Sequence, residues 1–213
     1  MEQFLNQNAS AIFALVGALG AALLTSSGSW LISRREYNFR LWEKLLDRRI
    51  KAHESVIAVA LDMRVMVALG GTDGNGEVAR TPKILLSKEN FEAWFTKFTH
   101  LTLEGSTWLT TKTKRELNYA QDYLVNLHMN LSGTTDAQCS QIGQVVRQDF
   151  INLSSSLEKT AFQYFASDLR KLRLNDLNDW HKYPIEETER RLTASALRGN
   201  IGSIERIKTA SAR

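Results

Sequence analysis

The chain has 213 residues, and its 27 basic and 23 acidic side chains give a formal net charge of +4 at pH 7. That length allows one domain with a substantial core. The single cysteine, Cys139, excludes an intrachain disulfide, as is usual for proteins of a reducing compartment. Basic residues are in excess over residues 34–53 and 182–213, so the positive charge is concentrated in two segments.

Residues 11–32 contain no charged side chain. A helix rises about 1.5 Å per residue, so this stretch covers about 33 Å, close to the roughly 30 Å hydrocarbon core of a bilayer. A cleaved signal peptide is not expected, because no Lys or Arg precedes the run and arginines follow it. The sequence predicts one transmembrane helix over residues 11–32, after a short extracytoplasmic tail at residues 1–10.

The charges that flank this segment predict its orientation. Four basic residues follow it closely, and we expect them to contact lipid headgroups: Arg34, Arg35, Arg40 and Lys44. The positive-inside rule then places the N-terminus outside and the C-terminal domain in the cytoplasm, at a plasma (bacterial inner) membrane. Membrane lipids are therefore expected partners, and nucleic acid is not expected to be one.

One side of the predicted span carries small residues at spacings of three and four: Gly17, Ala21, Thr25 and Gly28. Small faces let helix backbones approach closely in lipid, where van der Waals packing drives association. We expect this face to form a homo-oligomer. The alternative is that Gly and Ala are simply common in membrane helices and that the hydroxyls bond to their own backbone.

The rest of the chain predicts an all-α fold, a cytoplasmic helical bundle preceded by a long juxtamembrane helix. Residues 33–69 form that amphipathic helix, with an apolar stripe at Phe39, Trp42, Leu46, Ile50, His53, Ile57 and Leu61. Residues 70–82 are glycine-rich and are expected to form a loop.

Residues 83–183 are expected to form the bundle, and residues 184–213 short helices with a basic tail. Ser87 is predicted to cap the first bundle helix. Thr113 and Glu116 fit a capping box for the second. A long helix is expected over residues 137–174, with a bend at the three serines 154–156.

Arg48 and His53 show an R-x4-H spacing that is similar to the signature of HEPN ribonucleases, and the resemblance implies a pair acting on RNA phosphodiesters. Residues five apart on a continuous helix point about 140° apart, however, which favours a packing role for His53. The loop around residues 73–78 resembles part of an EF-hand but lacks its terminal carboxylates. No metal site and no cofactor are expected.

The expected function is a non-enzymatic, self-associating membrane module whose helical domain senses a protein or small ligand. By architecture alone, it is analogous to membrane-disrupting or pore-type effectors such as those of phage defence. A membrane-tethered ribonuclease using Arg48 and His53 and a passive membrane scaffold are the alternatives.

Overall fold

The computed structural model describes residues 2–72, 76–168 and 182–210, with side chains from residue 13 onward except that of residue 168. The chain divides into two compact units, Met1–Asp47 and Arg48–Arg213. The described residues are mostly helical with a single β-hairpin, so the fold is all-α as expected.

Unit 1 consists of the first part of helix α1, which spans Glu2–Arg64. Within the described residues, α1 is the one helix that is long and apolar enough to cross a membrane, and its most apolar window is not buried. The hydroxyls of Thr25 and Ser27 donate to the carbonyls of Ala21 and Leu23, each at 2.8 Å. Their polar groups are therefore satisfied within the helix, as a membrane segment requires.

The end of α1 and the segment after it differ from the prediction. Helix α1 ends at Arg64 rather than near residue 69, and most of the expected loop at residues 70–82 belongs to an antiparallel hairpin of β1 (Met66–Thr72) and β2 (Val78–Pro82). The β-branched and apolar residues after Arg64 favour a strand. The pairing register of β1 and β2 shifts between Ala68 and Thr72. Strand β1 therefore lacks the regular alternation of buried and exposed residues by which a strand is recognised in a sequence.

Strand β2 lies directly against helix α4 (Asp136–Val145). A Cβ placed on Gly143 would lie 2.0 Å from the Oγ1 atom of Thr81 and 3.0 Å from the Cβ of Leu85. Only glycine therefore fits at this position without displacing backbone or buried side chains.

The bundle helices begin with α2 (Lys88–Gly105), where the Ser87 side chain accepts from the Asn90 N–H and confirms the predicted cap. Helix α3 (Thr111–Leu131) starts two residues before the predicted point, because Thr110 rather than Thr113 is its cap. The predicted capping box of Thr113 and Glu116 is therefore wrong. The Glu116 carboxylate instead contacts Arg191 and Tyr183.

The helix predicted over residues 137–174 is divided. Helix α4 ends at Val145, and α5 (Arg147–Gln163) starts after Val146, whose φ of −93° and ψ of 6° are not helical. A π-helical turn, Tyr164–Asp168, follows α5, and residues 169–174 lie outside the described residues. The predicted bend at the three serines is wrong, because α5 continues through them; Ser154 donates to the Ala60 carbonyl at 2.6 Å.

Three short helices complete unit 2: α6 (Ile185–Thr193), α7 (Ala196–Gly199) and α8 (Ile201–Thr209). Asn200 separates α7 from α8. The core lies within unit 2. Its largest fully buried side chains are Tyr123, Tyr164, Phe91, Phe98, Phe150, Met63, Leu85, Leu109, Leu117, Leu124, Leu127 and Leu131.

Candidate functional site

The small-residue face of α1 is open in the single chain. Gly17, Ala21 and Thr25 are exposed and Gly28 is partly exposed. A Cβ added to Gly17 or Gly28 would meet nothing within 4 Å. This face therefore offers a surface on which another helix backbone could pack, and among the described residues none occupies it.

The basic residues after the apolar segment also lie on the surface. Arg34 sits over the ring of Trp30, with the guanidinium carbon 5.2 Å from the ring centroid. Arg35, Arg40 and Lys44 are exposed along the same helix. An indole followed by exposed cations is the pattern expected at the border between hydrocarbon and headgroups.

The structure places His53 in the core. The ring is fully buried, its Nδ1 lies 2.7 Å from the Arg49 carbonyl oxygen, and its Nε2 accepts from the Thr110 N–H at 3.4 Å. It also stacks on Tyr164, with ring centroids 3.8 Å apart. Both ring nitrogens are engaged, which assigns the neutral imidazole with its proton on Nδ1.

Arg48 points to a different part of unit 2. Its guanidinium carbon lies 5.3 Å from the ring centroid of Trp108. A groove of about 300 Å³ opens beside this contact, with Lys51 and Glu104 also in its wall. Arg48 and His53 are thus not brought together around one cavity, in agreement with the helical geometry that separates them.

The sequence did not reveal a buried ion pair between α3 and α6. Arg191 approaches Glu116 with two guanidinium nitrogens, at 3.2 and 2.9 Å, and its planar face lies 3.8 Å from the centroid of Tyr119. Tyr183 donates to the same carboxylate. Burial and the hydrogen bond to Glu116 raise the pKa of Tyr183 to about 12, so the phenol is neutral at physiological pH.

A second buried carboxylate, Asp149 of α5, holds the start of α7. It accepts from the N–H groups of Ala196 and Leu197, both at 2.9 Å, and from the Tyr123 hydroxyl at 2.8 Å. Burial, followed by the Asp149 charge, raises the pKa of Tyr123 well above its usual value. A cavity of about 220 Å³ adjoins both carboxylate contacts.

These two contacts were missed because each joins residues far apart in the chain, for example Glu116 and Arg191. One local signal was present. Glu116 lies beside Leu117 on the apolar side of α3, and a carboxylate at such a position needs a buried partner. Each carboxylate accepts hydrogen bonds from at least two residues, so each joins parts of unit 2 that are far apart in the sequence.

Among the residues that the structure describes, neither the Cys139 thiol nor a cluster of metal-binding side chains forms a reactive site. The thiol is buried, and burial, with a smaller contribution from Asp136, raises its pKa to about 11. It is therefore a protonated thiol at neutral pH. Among the described residues, no group of three His, Cys, Asp or Glu side chains could hold a metal ion.

The chain was compared with protein-family models, with curated proteins and with solved structures, and none of the three comparisons gave a match.

Proposed function

We propose that this chain is a single-pass membrane protein that self-associates through its span and acts as a non-enzymatic interaction or effector module. The observation that supports it is the apolar part of α1, which carries exposed Phe13, Leu19, Leu23 and Leu24 and whose most apolar window has no buried residue among those described. Such a surface is costly in water, and a bilayer removes that cost.

The proposed topology follows from charge. The N-terminus lies outside, and unit 2 lies in the cytoplasm at a plasma (bacterial inner) membrane, because the exposed cations Arg34, Arg35, Arg40 and Lys44 follow the span. The protonated, buried thiol of Cys139 is compatible with that reducing compartment.

In this proposal unit 2 binds a protein or small-ligand partner, and the span transmits the response by a change in assembly. A membrane-disrupting effector, as in phage defence, is the most specific form of the idea and rests on the analogy of architecture. A passive scaffold differs in its prediction, because replacing the span by an unrelated membrane helix would then change nothing.

The ribonuclease alternative is not favoured by the geometry. A general acid or base must reach its substrate, whereas the His53 ring is buried and both of its nitrogens already have partners. Arg48, the other member of the pair, lies on Trp108 instead.

The decisive experiment measures the mass of the detergent-extracted complex. Gly17→Leu or Ala21→Leu should reduce the number of subunits, because leucine keeps the backbones apart at the proposed contact. The Gly17 position has open space around it in one copy, so the added side chain should not disturb the single chain.

Ser26→Leu is the matched control. It adds a leucine about 180° around the helix from Gly17 and should leave the mass unchanged. A single-subunit mass for the unaltered chain would overturn the self-association proposal. A mass of four or more subunits would support a ring or channel.

A further inference from the structure

The apolar surface of α1 does not stop where the predicted span stops. Ile32 and Phe39 are 62% and 63% exposed, and Phe39 lies seven residues, or about 10 Å, beyond Ile32. Trp42, which stacks on Phe39, and Leu46 remain partly exposed further along the same helix. All of these residues belong to unit 1.

These residues repeat at a spacing typical of coiled coils. Six residues form one stripe along α1 and are separated alternately by four and three positions: Gly28, Ile32, Arg35, Phe39, Trp42 and Leu46. A hydrophobic repeat of 3.5 residues is the signature of helices that supercoil around one another. Arg35 is the one charged residue in the series.

A groove of about 350 Å³ lies on this face, lined by Ile32, Arg35, Glu36, Phe39 and Arg40. The four residues 32, 35, 36 and 39 stand at i, i+3, i+4 and i+7, which is the arrangement of a hole that accepts one side chain from a facing helix. In a parallel pair of identical helices, the side chain that enters this hole is Arg35 of the second copy, and Glu36 is part of its wall.

We propose that the second copy of this chain occupies this face, so that the α1 helices form a parallel coiled coil over residues 28–46, which starts at the end of the span and continues beyond the membrane. The proposal extends the self-association proposed above and rests on it. Arg35 of each copy pairs with Glu36 of the other, so Arg35 lies in the contact between copies instead of at the lipid headgroups, which Arg34, Arg40 and Lys44 still contact. Two copies inserted by the same topology must run parallel, so each residue of the stripe faces its own counterpart.

Cysteine cross-linking of the full chain in membranes tests this arrangement. Phe39→Cys lies on the stripe, and Leu41→Cys lies about 200° away from it on the same helix. Mild oxidation should give several-fold more covalent dimer with Phe39→Cys than with Leu41→Cys. The unaltered chain is the blank, because its buried Cys139 thiol should not react.

Charge exchange tests the pairing. In the Phe39→Cys background, Arg35→Glu or Glu36→Arg alone should reduce the dimer yield, and the two together should restore it. Tyr37→Glu places a new negative charge on an exposed residue about 200° around the helix from Arg35, and it should leave the yield unchanged.

The mass of the detergent-extracted complex distinguishes failure of the coiled-coil proposal from failure of the self-association proposal. If Gly17→Leu lowers the mass of the complex but Phe39→Cys cross-links no better than Leu41→Cys, lipid covers this face and the coiled coil is wrong. If the double charge exchange fails to restore the yield, the Arg35–Glu36 pairing is wrong. A single-subunit mass would overturn both proposals.

Discussion

His53 shows how the surroundings of a residue decide its role. It stands in a motif-like spacing with Arg48, but the fold gives each of its ring nitrogens a backbone partner and places Tyr164 against its face. A buried polar ring with full hydrogen bonding strengthens a core because it links segments without leaving a donor or acceptor unsatisfied. His53 thus joins α1 to the start of α3 and to the turn after α5.

We predict that His53→Ala destabilises the protein. The change leaves a cavity against Tyr164 and removes the partner of the Thr110 N–H, at a combined cost of about 2–4 kcal/mol. For a domain of this size, that cost lowers Tm by roughly 5–12 °C. Thermal unfolding followed by circular dichroism measures it.

His100→Ala is the control for this change, because His100 is exposed and its truncation should alter stability by less than about 0.5 kcal/mol. Equal Tm values for His53→Ala and the unaltered chain would contradict the packing role of His53 and favour the ribonuclease alternative.

The role of a single residue was predictable from the sequence where its partner lies within one helical turn. Ser87 was recognised as a cap because a hydroxyl before a helical repeat satisfies nearby N–H groups. The requirement for glycine at Gly143 was not predictable, because it comes from Thr81, which is 62 positions away in the sequence and reaches Gly143 only through the hairpin. The sequence shows a glycine there but not what lies beside it.

At the scale of elements, α6 and α7 are held to the bundle by a few buried polar contacts as well as by Leu192 and Leu197. The Arg191–Glu116 pair joins α6 to α3, with side-chain exposures of only 22% and 11%. Removing one partner of such a pair leaves the other charge buried without compensation, which costs more than the pair itself contributes.

We predict that Arg191→Met loosens α6 and costs about 2–3 kcal/mol, near the lower end for a buried pair because Arg191 retains some solvent contact. Hydrogen exchange should show faster amide exchange in α6–α8 than in α3. Glu116→Gln combined with Arg191→Met should cost less than the sum of the two single changes.

Arg190→Met is the matched control on the neighbouring residue. Arg190 pairs with Glu187 inside α6, and its side chain is 74% exposed, so the loss should be small. If the two methionine variants exchange at the same rate, the Arg191–Glu116 contact does not hold α6.

Element boundaries were predicted where the residue pattern is continuous and missed where tertiary contacts decide. The amphipathic pattern of α3 was clear in the sequence, but the interruption at Val146 was not, because the apolar spacing continues from α4 into α5. The hairpin was missed because Gly70 and Gly76, both with positive φ, were read only as loop residues.

At the scale of the whole molecule, the two units differ in where their apolar side chains lie. Every residue of the core cluster lies in unit 2, from Ala52 onward, whereas the large apolar residues of residues 13–32 are exposed in unit 1. The transmembrane prediction needed only length and composition, which is why it came directly from the sequence. The polar contacts of unit 2 were not predictable, because they join residues that are far apart in the sequence.

We predict that unit 1 alone determines membrane association. The full chain should remain in the pellet after membranes are washed with carbonate, because insertion of about 20 apolar residues is effectively irreversible in water. Residues 48–213, expressed alone, should fold and remain in the supernatant, since they contain the whole core. Circular dichroism of that fragment should show a helical, cooperatively unfolding domain, which excludes aggregation as the reason for its behaviour. Release of the full chain into the carbonate supernatant would mean that α1 does not cross a bilayer, and the topology, the compartment and the proposed assembly would all be wrong.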